Sequence, residues 1–189
     1  MKKLAYIAAI AVAVGVLAGL PSVARADLTF DDAFDLGSVI PGEPASDAQE
    51  VIYVNNLVGL AQGSGTTVID GHTYNRKNTS CGTCPTVTVG DIAVKDETGN
   101  NVVDLGTGGF TYLLAKYDGP NGGDEIWNVQ GLTGIMTIPD SGLPPGFKYG
   151  LSHFTLFGGG GQVPDGGTTA ALLGAALAGM GFLRRYIKR

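Results

Sequence analysis

The spacing of apolar and polar positions changes character several times along this chain. Residues 4–20 form an unbroken apolar run of 17, with Lys2 and Lys3 before it and Pro21 after it. Further on, Val51, Val54, Val58 and Ala61 recur at helical spacing, with Leu57 beside them. After Gly65, short apolar or alternating runs rich in Val, Ile, Thr and Tyr are punctuated by Gly, Asn and Asp, the pattern of strands and turns. Finally, residues 166–183 carry no charge, and Arg184, Arg185, Lys188 and Arg189 follow them.

The helical stretch has ends that agree with its period. Ser46, after Pro44 and Ala45, is placed to cap the first free N–H groups, and Gln49 stands three residues on, the capping-box spacing. Asp47 and Glu50 suit the positive end of the helix dipole, and Gly63 is the predicted stop. Val51-Ile52-Tyr53-Val54 taken alone reads equally as a strand; the caps decide for helix. The acidic lead-in, residues 27–42, carries Phe30, Phe34 and Leu36 without a dominant period and reads as a helical turn or irregular chain. Strands are predicted at 66–70, 72–75, 86–94 with a kink at Gly90, 102–105, 110–117, 125–129, 135–138 and 151–157. Strands at such intervals without long intervening helices predict a mainly β fold: one antiparallel β-sandwich or jelly-roll-like domain with one short N-terminal helix.

Both ends read as export signals. Residues 1–26 have the layout of a signal peptide, with Ala24-Arg25-Ala26 as the small-x-small cleavage site and Asp27 as the first mature residue; an uncleaved signal anchor is the alternative, and it also exports the body. As a helix, the 18 residues from 166 to 183 would reach about 27 Å, close to the roughly 30 Å of a bilayer's hydrocarbon core. Tyr186 and the terminal cations can snorkel to make up the difference, and the basic flank favours a cytoplasmic C-terminus. Before this transmembrane helix stands Val163-Pro164-Asp165-Gly166-Gly167. Pro164 imposes an extended approach, and the two glycines keep the helix from starting early. Ala171, Ala175 and Gly179, four apart, would let a second helix come close in lipid.

A Pro-Asp-Gly-Gly turn, a span of minimal length and a terminal basic cluster, in that order, resemble the PEP-CTERM class of bacterial sorting signals, most closely the VPDSG-CTERM subclass. This chain has Gly166 where the subclass name has Ser. The resemblance implies that residues 163–167 are read by an exosortase, a membrane-embedded cysteine transpeptidase-like enzyme. It also implies that residues 166–183 span the inner membrane transiently, that Arg184, Arg185, Lys188 and Arg189 act as the cytoplasmic stop, and that the tail, 163–189, is removed. The body would then reach the cell surface or extracellular matrix. A permanently membrane-anchored structural protein is the plainer alternative. The body's Phe110-Thr111-Tyr112-Leu113-Leu114-Ala115-Lys116-Tyr117-Asp118-Gly119-Pro120-Asn121, Ile126-Trp127 and Gly150-Leu151-Ser152-His153-Phe154-Thr155-Leu156-Phe157 are similar to the β-rich bodies found ahead of PEP-CTERM tails.

The body, 27–162, is the size of one domain, and its glycines at 158–161 read as a tether. It holds sixteen of the 17 acidic residues but only the cations Arg76, Lys77, Lys95, Lys116 and Lys148, a net charge of −11 that repels nucleic acid. The two cysteines, Cys81 and Cys84, predict a local disulfide in an oxidising compartment; two free thiols and a redox or metal-binding Cys-x-x-Cys are the alternatives, although Pro85 and a predicted strand follow where redox motifs open a helix. Asp118, Asn121 and Asp124 on a Gly-rich loop are a calcium candidate that a plain hairpin turn also explains. Trp127 with Tyr112, Tyr117 and Tyr149 suggests an aromatic platform for extracellular polysaccharide, and hence a carbohydrate-binding surface module, although strand aromatics more often fill cores. Ser152 and His153, adjacent on a strand, point to opposite faces and make no nucleophile and base pair. No nucleophile elbow, zinc helix or phosphate loop is spelled out, so the body reads as non-enzymatic and without a cofactor.

Overall fold

The computed structural model describes residues 26–119, 122–142 and 149–159. The apolar run at 4–20, the cleavage residue Ala24, Asn121, Lys148 and the whole sorting segment from Val163 to Arg189 lie outside the described residues.

A long antiparallel sheet is built around β7, Phe110–Asp118, which pairs with β8, Gly123–Asn128, on one side and β11, Tyr149–Gly158, on the other. Beyond β8 come β2, Asp35–Ile40, then β4, His72–Arg76, and at the edge β3, Gly65–Ile69. The far side of β11 is shared by β10, Ser141–Gly142, and β5, Ile92–Asp96. A small second sheet has β9, Ile135–Thr137, between β1, Ala26–Asp27, which runs parallel to it, and β6, Val102–Asp104. The fold of the described residues is therefore mainly β with one α-helix.

Each face of the long sheet has its own cover. α1, Asp47–Gly59, packs Val51, Tyr53, Val54 and Leu57 onto Leu36, Val39, Tyr74, Tyr112, Leu114 and Ile126. The small sheet contributes Val103 and Met136 to a second core with Leu113, Ala115, Tyr117, Trp127, Phe154 and Leu156. Alternate residues of β7 thus enter opposite cores, and the strand is buried continuously from Tyr112 to Tyr117. A strand covered on both sides needs apolar residues on both sides, which is why its sequence shows a run rather than strict alternation.

The helix starts as its sequence predicts: the Ser46 hydroxyl accepts from the Gln49 N–H at 3.3 Å. It ends at Gly59 with an extended Leu60 as its cap, ahead of the predicted stop at Gly63, because Leu60 turns away to pack against the first core. Two other expectations need correction. The lead-in contains a real strand, β2, hidden by a bulge between Asp35 and Gly37. The predicted strand at 86–94 is mostly absent: residues 86–88 pair with no strand, and a 3₁₀ turn, Val89–Asp91, precedes β5. Asn55 of α1 is the cause, since its amide accepts from the Val87 N–H and donates to the Val87 carbonyl, each at 2.8 Å, replacing a neighbouring strand. Asp91 then draws the chain into the turn by accepting from Thr88 N at 2.7 Å. Among the described residues no helix is long and apolar enough to cross a membrane; the span expected at 166–183 is not among them.

Candidate functional site

On the α1 face of the long sheet, strand register puts three ionisable residues in one row: His153 of β11 opposite Lys116 of β7, and Lys116 opposite Asp124 of β8. Glu50, from the first turn of α1 and fully buried, comes down onto this row. Its carboxylate takes His153 Nε2 at 2.9 Å, the Thr155 hydroxyl at 2.7 Å and Lys95 Nζ at 2.8 Å. Burial pushes the Glu50 carboxyl up, but hydrogen bonds from His153, Lys95 and Thr155 outweigh it and hold the group below its ordinary value. His153 therefore works with Thr155, two residues along on the same face, and with a glutamate 103 positions away.

Lys116, almost fully buried, donates to the Gly42 carbonyl at 3.0 Å and to Glu43 Oε1 at 2.6 Å, and lies 3.4 Å from Asp118. Asp124 is buried beneath Gly42, where an added Cβ would sit 2.6 Å from Oδ2. Neither oxygen of Asp124 has a hydrogen-bond partner. Burial raises the group well above its ordinary value, with Lys116 opposing and Glu50, Glu43 and Asp118 reinforcing the shift. Of the calcium candidates, Asp118 is exposed and lies 3.4 Å from the Lys116 ammonium, and Asp124 is closed in. Among the described residues no cluster of His, Cys, Asp and Glu is arranged to hold a metal ion.

The opposite flank holds a second buried cluster. Asp35 and Glu125 are both fully buried, and Lys77 reaches both: its Nζ donates to Asp35 Oδ2 and, at 2.9 Å, to Glu125 Oε1, with exposed Asp31 at 3.1 Å. Backbone N–H groups hold Asp35, from Gly37 at 2.9 Å and Asp31 at 2.7 Å. Burial raises the Glu125 carboxyl well above its ordinary value, and the adjoining Asp35 adds to the shift against Lys77. Burial works to lower Lys77, but the two carboxyls overcome it and hold the ammonium above its usual range. Beside the cluster, Phe30 packs on Tyr117 and Trp127, with ring centroids 5.7 and 6.1 Å apart.

Tyr112, Tyr117 and Trp127 are fully buried, which corrects the idea that they offer their faces to a sugar. The Tyr112 and Tyr117 hydroxyls donate to the Pro85 and Pro139 carbonyls, and the Trp127 indole N–H donates to the Thr29 carbonyl. Cys81 and Cys84 are bonded to each other. Cys81 is buried, with the Arg76 guanidinium 3.6 Å from its sulfur and further Arg76 bonds to the carbonyls of Leu36, Lys77 and Thr79. The buried charges were hard to find from sequence, because an acidic residue on a strand reads by default as solvated. The one signal was Lys116, in alternation with Tyr112 and Leu114.

Residues 162–187 match the family model described as the VPDSG-CTERM motif. The chain therefore carries a PEP-CTERM-type C-terminal sorting signal, and the Gly at 166 does not prevent the match. A signal of this type implies export toward the cell surface. No curated protein and no solved structure matches the chain.

Proposed function

We propose that this is an exported cell-surface or extracellular-matrix protein, held in the inner membrane by its tail until an exosortase-like enzyme acts at residues 163–167 and the body is released or attached outside. The match over residues 162–187 carries this reading. In it, residues 1–26 are a signal peptide, residues 166–183 span the membrane, and residues 27–162 form one sandwich-type, non-enzymatic domain. The position of Asp27 supports the proposed start: its carboxylate accepts from the Thr137 hydroxyl and the next residue, Leu28, donates to the Thr137 carbonyl at 2.8 Å. Cleavage after Ala26 would leave the pairing of Asp27 and Leu28 intact. The Glu50 network also suits a scaffold, since its charged groups are paired with one another rather than directed to a ligand.

The intact mass of protein recovered from its native cells tests the proposal, because it fixes both ends at once. The expected product begins at Asp27 and lacks the basic tail. A mature product that retains Arg189 and the hydrophobic run would overturn it in favour of a permanent anchor.

A further inference from the structure

Among the described residues three lysines meet acidic partners, and the cluster at Lys77 has a different chemistry. Lys95 meets a glutamate whose oxygens are already taken by His153 and Thr155. Lys116 bonds to a carbonyl and an exposed glutamate. Lys77 contacts two fully buried carboxyls, Asp35 and Glu125, which lie within hydrogen-bonding reach of each other. Two adjacent carboxyls in a poorly solvated site do not both ionise, and Glu125 is the one whose environment retains the proton: burial and the neighbouring Asp35 raise it well above its ordinary value, and its Oε2 is buried with no donor to stabilise a charge.

The parts are held still. Asp35 is fixed by the Gly37 and Asp31 N–H groups. The Lys77 backbone is fixed by its N–H to the Leu36 carbonyl at 2.9 Å, and its own carbonyl accepts from Gly63 and Arg76. An amine, a carboxyl carbon and a proton carrier are thus assembled in one site bordered by Tyr117, whose phenol feels both carboxyls. Such fixed proximity is worth many orders of magnitude in effective concentration, and a neutral carboxyl poised for proton transfer adds to it.

We infer that Lys77 and Asp35 become joined by an intramolecular isopeptide bond, with Glu125 as the group that moves the protons. The Lys77 ammonium first gives a proton to the Asp35 carboxylate. The free amine attacks Asp35 Cγ, forming the C–N bond. Glu125 accepts a proton from the nitrogen and returns one to the hydroxyl on Cγ, whose C–O bond breaks as water leaves. One amide and one water replace an ammonium and a carboxylate, Glu125 is regenerated, and no oxidant or reductant is needed. The bond would tie β2, in the interior of the long sheet, to the segment after β4, and it would constrain the unfolded chain as a disulfide does.

Tryptic mapping of the purified full-length chain tests this independently of what happens to the tail. The expected wild-type product is a branched peptide, lighter than its two components by one water, with no cleavage after Lys77 and fragment ions placing the junction at Asp35. Lys77→Arg, which keeps the positive charge, and Glu125→Gln are expected to give only unbranched peptides, with the Cys81–Cys84 bond retained as the sign of a folded chain. Wild-type protein with free Lys77 and Asp35 would overturn the bond, and a junction at Asp31 or Glu125 would overturn its assignment. Branching in Glu125→Gln at the wild-type level would overturn the role of Glu125. The wild-type map decides on the bond even if a variant fails to fold.

Discussion

Glu50 and His153 stand 103 positions apart in the chain and 2.9 Å apart in the fold, inside a network that pins α1 to two strands, β5 and β11. Removing the carboxylate strands His153 and Thr155 in the interior and leaves Lys95 with Asp47 alone, and breaking a buried ionic group from one side costs about 3–5 kcal/mol. Glu50→Ala is expected to lose that much in urea unfolding at neutral pH with an unchanged slope. Thr155→Val, which removes one hydrogen bond, is expected to lose about 1 kcal/mol. Equal losses would show that the network is not organised by the glutamate.

The buried acids oppose one another as pH changes. Glu50 has a lowered folded-state pKa, so its contribution is present above the unfolded value and is lost as pH falls through the folded one. Asp124 has a raised pKa, so the folded state holds its proton more tightly; that advantage is complete below the unfolded value and is lost as pH rises toward the folded one. Asp124→Asn removes this second dependence and leaves Lys116, Glu50, Glu43 and Asp118 around the site. Relative to wild type, the variant is therefore expected to gain stability steadily as pH is raised above 3.8. Urea unfolding across a pH series reads this, and a constant difference between the two proteins would show that Asp124 titrates normally.

Gly37 makes the β2 bulge possible. Its φ of +129° is outside the range of side-chain-bearing residues, and a Cβ there would collide with the backbone oxygen of Asn75 on β4. Its N–H also positions Asp35. Gly37→Ala is expected to cost at least about 2 kcal/mol, combining backbone strain with the displacement of a strand. Gly71→Ala, at φ +83° with open space around it, is the comparison and should cost only about 1 kcal/mol. Thermal unfolding of the two variants distinguishes a steric requirement from simple loss of flexibility.

The same glycine shows where the sequence could be read and where it could not. Elements set by local signals were legible: Ser46 and Gln49 marked the start of α1, the Asp70-Gly71 turn marked β4, and β7 and β11 followed from their apolar runs. β2 was not, because the bulge at Gly37 shifts which residues face the core and erases the alternation. Residues 86–88 look like a strand by composition, yet Asn55, 32 positions away, supplies the hydrogen bonds a neighbouring strand would have supplied. Glu50 entered the sequence reading as a partner of the helix dipole, Asp124 as a calcium candidate and Glu125 only within the acidic net charge; none was read as buried, since burial of a carboxylate depends on partners from other elements. The aromatic side chains of β7 and β8 left two readings open, sugar platform or core, and Tyr112, Tyr117 and Trp127 fill the cores. The tail was the most legible part, because its turn, span and cations stand in sequence order and need no fold to bring them together.

That order yields a prediction about the basic cluster. Arg184, Arg185, Lys188 and Arg189 follow the uncharged run at 166–183, and a cation beside an anionic cytoplasmic leaflet contributes about 1 kcal/mol. In the proposed inner-membrane stage, four of them together would oppose slippage of the run across the bilayer by about 4 kcal/mol in the same additive approximation. Changing all four to Glu reverses the sign of this preference, so the tail is expected to lose its hold, and the 163–167 segment should no longer sit at the outer face where a processing enzyme could reach it. Cells making the variant should accumulate protein whose intact mass includes the tail, at the expense of the processed body. Gly166→Ser, which restores the subclass spelling, is expected to be processed at least as fully as wild type. If the reversed-charge chain is trimmed as completely as the natural one, retention depends on the apolar span and the turn alone.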